Sequence, residues 1–318
     1  MRGIVAGRLI TSFPPQGRQP LTFSIVARDS NTGEIGVAVQ SHWFAVGSVV
    51  SWARAGVGAV ATQANVDASY GPLGIELMAK GKSAAEALAA LLKVDEKSQD
   101  RQVAMVDAKG RAAAHTGSRC IPQAGHVVGD GFSCQGNIMR SRKVWGAMAR
   151  EFLAKRTLPL HDRLMAALDA GQGAGGDLRG KQSAAMVVVA PGSSPGAWDG
   201  RIIDLRVDDS PEPLAELRRL VGYNVGYNWM NRGDELLSSG KLGGALDAYS
   251  QGMRFLPKVL EAKYWVAIGL ISSGREVKKG VKMLKEVCRE DESWVQVTKG
   301  IVRVQSPKLD PGVLDLIQ

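Results

Sequence analysis

The side chains of this 318-residue chain that could serve as metal ligands, bases or nucleophiles are few and dispersed. His42, His115, His126 and His161 show no metal-ligand spacing, so no metal site is expected. Cys120, Cys134 and Cys288 are odd in number and form no C-x-x-C pair, which argues against a zinc site and against a disulfide framework. Reduced cysteines fit a cytoplasmic protein and leave a periplasmic or secreted location open. There is no G-x-S-x-G elbow, and nothing in the sequence supports a dispersed Ser/His/Asp triad. Gly81-Lys82-Ser83 has the ending of a phosphate-cradling loop. That loop needs a glycine five residues earlier, where Glu76 stands, and a strand before it. GVGAVA at Gly56 to Ala61 matches a loose dinucleotide fingerprint, but AVATQ reads as the strand itself, not as the opening of a helix. No cofactor is expected.

Composition narrows the field further. Apolar residues make up 45% and charged residues 22%, the balance of a soluble globular chain. No run of about 18 apolar residues exists to span a membrane. The net charge of +9 is uneven: residues 208–318 hold 16 Lys and Arg against 15 Asp and Glu, so the excess lies earlier. Arg140, Arg142, Lys143, Arg150, Lys155 and Arg156 carry part of it. They read as the solvated face of a helix whose other face holds Val144, Met148 and Phe152. No aromatic pattern of a nucleic-acid module accompanies them, so no nucleic-acid partner is expected.

The elements that must position any chemistry follow from periodicity. Residues 1–21 read as a disordered extension or propeptide rich in Pro, Gln and Gly. TFSIVARD then alternates Thr22, Ser24 and Val26 with Phe23, Ile25 and Ala27, and EIGVAVQS puts Ile35, Val37 and Val39 on one face. The turn formers Asp29 to Gly33 join them into a hairpin. A Gly-rich stretch leads to the strand AVATQ. Two helical pieces break at Lys80-Gly81-Lys82, and Ser83 with Glu86 forms a capping box for the second. A second hairpin turns at Asp107 to Gly110. GHVVGDGFSCQGNIM reads as loop or strand, helices are expected near 141–154 and 158–170, and SAAMVVVAP and GRIIDLRV are the last strands. This order predicts an α+β domain over 22–208 with helix layers outside its sheets.

From Pro213 the chain reads as helical, with a small all-α domain expected over 213–306. Trp229, Gly233, Gly240, Ala245, Tyr249, Gly252 and Pro257 match the tetratricopeptide pattern, and Trp265, Gly269, Gly274, Gly280 and Leu284 repeat it more weakly.

TFSIVARDSNTGEIGVAVQSHWFAVGSVVSWARAGVGAVATQ, with HTGSRCIPQAGH, FSCQGNIM and GGDLRGKQSAAMVVV in the right order, resembles the bacterial family called domain of unknown function 1028. The likeness spans roughly Leu21 to Val207. It implies a four-layer αββα sandwich like that of the N-terminal-nucleophile (Ntn) hydrolases, and some members carry a C-terminal segment assigned to peptidoglycan binding. By that resemblance Thr22 stands where the nucleophile of an amidohydrolase would be, with Ser24 two residues on. Arg54, 32 residues after Thr22, falls where relatives of the proteasome type place a basic residue, and Asn137 and Gly136 could donate to an oxyanion. His42, Gln182 and Ser183 are further substrate-contact candidates. The implied ligand is a small amide or a peptidoglycan-like compound, and a homo-oligomer fits the fold. The chemistry needs a free α-amine as base. Thr22 is internal, so Leu21–Thr22 must be cleaved or translation must begin later. The alternative is a non-catalytic binding module on the same fold.

Overall fold

The first hairpin forms where turn residues interrupt two apolar alternations. β1 (Thr22–Arg28) and β2 (Ile35–Ser41) pair antiparallel, Thr22 opposite Ser41. Asp29 Oδ1 accepts the Asn31 and Thr32 N–H groups at 2.7 and 3.1 Å, and Gly33 closes the turn at φ +76°. The computed structural model describes residues 22–192, 200–305 and 307–317. The expected extension over 1–21 lies outside the described residues.

The Gly-rich stretch after β2 contains more structure than its composition suggests: a short helix α1 (Gly47–Val50) and a strand β3 (Ser51–Arg54) ahead of β4 (Gly58–Ala64). Helices α2 (Tyr70–Ala79) and α3 (Ala84–Val94) follow. The second carries the expected capping box: Ser83 Oγ accepts Glu86 N–H at 3.2 Å and Glu86 Oε2 accepts Ser83 N–H at 2.8 Å. Then come β5 (Arg101–Asp107), β6 (Ala112–Thr116), β7 (Gly125–Gly129) and β8 (Phe132–Gly136). The segment that read as loop or strand is thus a hairpin, turned at Gly131 with φ +77°. Helices α4 (Val144–Ala154) and α5 (Leu160–Gly173) and strands β9 (Ser183–Val189) and β10 (Arg201–Val207) complete the first unit.

The strands form two antiparallel sheets, β10-β9-β2-β1-β8-β7 and β3-β4-β5-β6. Val26, Val37 and Val39 meet Ala59, Ala61, Ala104 and Val106 between them. Ile75, Met78, Ala87 and Leu88 bury α2 and α3 against the outer face of the four-stranded sheet, on Val60, Val103 and Met105. Helices α4 and α5 pack on the outer face of the six-stranded sheet. A methyl group added at Gly171 of α5 would lie 3.0 Å from the Phe23 ring of β1. The layer order is therefore helix, sheet, sheet, helix.

The second unit begins at Arg218, inside α6 (Pro213–Ser238), and is all-helical. It continues through α7 (Leu242–Phe255), α8 (Leu260–Ser272), α9 (Val277–Glu290), α10 (Ser293–Val304) and α11 (Val313–Ile317), beyond the expected boundary at residue 306. Gly233 lets α6 lie on the Tyr249 ring of α7, where a Cβ would stand 2.3 Å from a ring carbon, and Tyr249 Oη donates to Asp234 at 2.6 Å. Among the described residues no helix is long and apolar enough to cross a membrane.

One buried ion pair ties the first hairpin to the helix layer. Arg163 of α5 donates to Asp29 Oδ2 at 2.8 Å while its guanidinium lies 4.1 Å from the centre of the Phe152 ring. Both partners are buried. Removing one leaves the other desolvated and unpaired, so Arg163→Ala should destabilise the first unit by about 3–5 kcal/mol in chemical denaturation.

Candidate functional site

At the Thr22 end of β1 the layer between the sheets turns from aliphatic to polar. Thr22, Ser24, Gln63, Gln102, Gln135 and Asn137 are all fully buried. Alternation explains their meeting: Gln63 continues the inward face of Ala59 and Ala61, Gln102 that of Ala104 and Val106, and Ser24 that of Val26. Register brings them level. Gln63 pairs with Gln102 across β4 and β5, and Ser24 with Gln135 across β1 and β8.

The Thr22 hydroxyl donates to Ser41 Oγ at 3.1 Å. Its carbonyl oxygen accepts three N–H groups: the Asn137 backbone at 3.1 Å, Gln63 Nε2 at 3.1 Å and Asn137 Nδ2 at 3.4 Å. Gln102 Oε1 accepts from Gln63 Nε2 at 2.6 Å and from Asn137 Nδ2 at 3.0 Å. On its other side Gln102 Nε2 donates to Thr116 Oγ1, Gly136 O and Gly125 O at 2.9, 2.9 and 3.1 Å. Ser24 Oγ donates to Gln63 Oε1 at 2.6 Å and accepts from Gln135 Nε2 at 2.7 Å. The chain reaches the surface at His126, whose Nδ1 lies 2.8 Å from Thr116 Oγ1. Desolvation, then the neighbouring His115, hold His126 below its ordinary pKa.

Two residues bordering this cluster hold left-handed backbone without being glycine. Ala64 follows Gln63 at φ +70°, and Ile138 follows Asn137 at φ +51°. A β-branched residue there is a genuine outlier, and each such position costs about 1–3 kcal/mol. Asn137 Oδ1, buried beside them, has no hydrogen-bond partner among the described residues.

Of the candidates read from sequence, Thr22, Ser24, Gly136 and Asn137 come together here. Ser183 lies two strands from Thr22 with Ser41 between them, but its hydroxyl anchors the loop after β2: it donates to the Trp43 carbonyl and accepts Val46 N–H at 3.1 Å. Gln182 binds backbone at Ser41 O and sends Nε2 to Asp209 at 3.1 Å. His42 holds Asp177 Oδ2 through its backbone N–H at 3.0 Å, with its ring against Gly180. Arg54 is not brought to Thr22. It pairs with Gly58 at the far end of β4, five residues or about 16 Å along the strand from Gln63, and it faces Glu76 at 3.7 Å with its side chain 45% exposed. The count of 32 residues from Thr22 took no account of the short α1 and β3, which carry the chain back out along the sheet edge. Gln63, Gln102 and Gln135 were missed. Their signal is a glutamine at an inward position of a strand otherwise made of small and apolar residues. Among the described residues no group of three His, Cys, Asp or Glu could hold a metal.

A surface cleft of about 350 Å³ lies on the opposite side of β4, lined by Asp67, Tyr70, Leu73, Leu91, Val94 and Asp95. Its polar walls are satisfied internally: Tyr70 Oη donates to Asp95 at 3.0 Å, and Arg101 Nε donates to the same oxygen at 2.8 Å.

The family model described as a family of unknown function, DUF1028, matches residues 22–217. The crystal structure of protein SPO2555 from Silicibacter pomeroyi, described as of the same family, is similar at 33% identity and a TM-score of 0.57, over 63% of this chain and 88% of that one. No curated protein matches.

The three cysteines take no part in the cluster. All are buried. Burial raises the Cys120 thiol to about 11 and raises Cys134 and Cys288 as well, so none is a thiolate near neutral pH. A disulfide-exchange reagent at pH 8 should titrate about none of the three in the native protein and all of them in denaturant.

Proposed function

The chain belongs to the DUF1028 family, a description that assigns no activity, and we propose that its first unit is an Ntn-type amidohydrolase held latent, with Thr22 as nucleophile once its α-amine is free. The observation that carries this reading is the grip on Thr22: three N–H donors on its carbonyl and a serine on its hydroxyl, at the start of the central hairpin of an αββα sandwich. A residue that merely opened a strand would need one donor on its carbonyl. The strained Ala64 and Ile138, placed directly after the two side-chain donors, support it, since strain of this kind collects at sites that must hold a fixed geometry.

The chemistry needs two groups of one residue. With Leu21 removed, the α-amine takes the proton from Thr22 Oγ1 as that oxygen attacks an amide carbonyl carbon. An ordinary α-amine has a pKa of about 7.7–8.0, so it is largely able to act in this way near pH 8. The proton passes to the departing nitrogen as the C–N bond breaks, leaving an ester on Thr22, which water hydrolyses. Ser41 is placed to hold the hydroxyl during these steps. The ligand class proposed is a small amide or a peptide-like fragment such as one from peptidoglycan. The tetratricopeptide likeness of the second unit and a homo-oligomeric state belong to the same proposal.

A second reading is favoured by the complete burial of Thr22. With residues 1–21 attached, its nitrogen is an amide and cannot serve as base, and the domain would act as a binding module for a protein or a cell-wall glycan.

The N-terminus decides between them. The intact mass of the protein isolated from its own cells should correspond to a chain starting at Thr22. A protein that keeps residues 1–21 in its working form contradicts the hydrolase reading and leaves the binding module.

A further inference from the structure

The hydrogen-bond chain around Thr22 has a direction, and its direction is imposed from one end. Backbone carbonyls can only accept. Gln102 faces two of them, Gly125 O at 3.1 Å and Gly136 O at 2.9 Å, so its NH2 group must point that way and its Oε1 must point inward. An inward oxygen can only accept, so the side chains meeting it, Gln63 at 2.6 Å and Asn137 at 3.0 Å, must present NH2 groups. Those same NH2 groups then face the Thr22 carbonyl. Gln63 Oε1 is left for Ser24, whose hydroxyl therefore donates to it and turns its lone pairs to Gln135 Nε2. Every carboxamide orientation follows from the two glycine carbonyls, by way of Gln102.

We infer that Gln102 is a positioning residue for Thr22: it does not touch a reacting atom, but it fixes the carboxamide flips of Gln63 and Asn137, and so the peptide plane from which the Thr22 hydroxyl and amine project. This rests on the nucleophile reading above. Three features suit Gln102 to the role. It is fully buried, so water does not compete for its ends. It lies mid-sheet, paired with Gln63 on one side and Thr116 on the other. It joins both sheets, since Gly125, Gly136 and Asn137 follow the six-stranded sheet while Gln63 and Thr116 belong to the four-stranded one. A flipped or missing Gln102 frees two amides to turn and loosens the grip on the Thr22 carbonyl.

The test uses a chain released from a cleavable fusion so that it begins at Thr22, treated with an aliphatic β-lactone that acylates the threonine hydroxyl. The limiting rate of inactivation, kinact, and the half-saturating concentration, KI, are read by mass spectrometry. Gln102→Leu, which removes the inward acceptor, should lower kinact about tenfold or more with KI within about threefold. Gln102→Glu, which keeps the inward acceptor but turns a second acceptor toward the Gly125 and Gly136 carbonyls, removes the anchor that sets the direction and should lower kinact as well, with KI again within about threefold. Should Gln102→Leu fail to fold, Gln63→Glu, which replaces the donor aimed at Thr22 with an acceptor, is read in its place and should lower kinact likewise. If Gln102→Leu leaves kinact unchanged, or if the losses of kinact in the Gln102 variants simply follow their melting temperatures, Gln102 is a structural residue only and this inference fails alone. If the parent chain beginning at Thr22 is acylated no faster than its Thr22→Ala variant, the nucleophile reading fails and takes this inference with it.

Discussion

Two backbone carbonyls of the paired strands β7 and β8, those of Gly125 and Gly136, set the orientation of the polar side chains buried around Thr22. A carbonyl oxygen has no donor form, so the carboxamide facing it has one allowed orientation. From Gln102 that requirement passes through Gln63 and Asn137 to the Thr22 carbonyl, and through Ser24 to Gln135. These side chains are fully buried, and a buried polar atom without a partner costs about 1–3 kcal/mol. A single wrong flip would therefore leave several groups unpaired at once, which is why such a chain behaves as a unit.

The rest of the sandwich supplies the conditions for that unit. Valines and alanines fill the space between the sheets away from Thr22 and bring the two sheets close enough for side chains of β4 and β5 to reach β1 and β8. The ion pair of Arg163 with Asp29 fixes the turn of the first hairpin against α5. The left-handed backbone at Ala64 and Ile138 turns the chain sharply after each donor to Thr22. Packing elsewhere in the domain has to offset this strain, and its position beside one threonine is what gives that threonine a functional reading in a family whose description offers none.

Much of the fold was legible in the sequence because its signals are local. Alternation with a run of turn formers marked β1 and β2, Ser83 and Glu86 marked the start of α3, and glycine after aspartate marked the turn between β5 and β6. What was not legible depends on long-range pairing. β3 has four residues and no alternation to speak of, and its recognition requires β4 beside it. β7 is glycine-bounded and sits at a sheet edge, so its apolar content is low. The same limit applied to the site. Thr22 and Asn137 stood out through a family likeness, whereas Gln63 and Gln102, 39 residues apart, become neighbours only when β4 pairs with β5. Arg54 was placed near Thr22 by counting along the chain, and distance along a chain that doubles back on a sheet says nothing of distance in space. The glutamines are visible in the sequence as polar residues on the inward faces of apolar strands.

The central claim is that the carboxamides of Gln63 and Gln102 form a closed, oriented chain behind Thr22. Exchange of their side-chain amide protons with deuterium, resolved by heteronuclear NMR on the full chain, measures it directly. The account predicts that these four protons exchange orders of magnitude more slowly than those of a free glutamine, at the pace of the neighbouring backbone amides of β4 and β5. Exchange at the rate of an exposed glutamine would contradict it, because the amides would then be open to solvent and not held by the partners that set their direction.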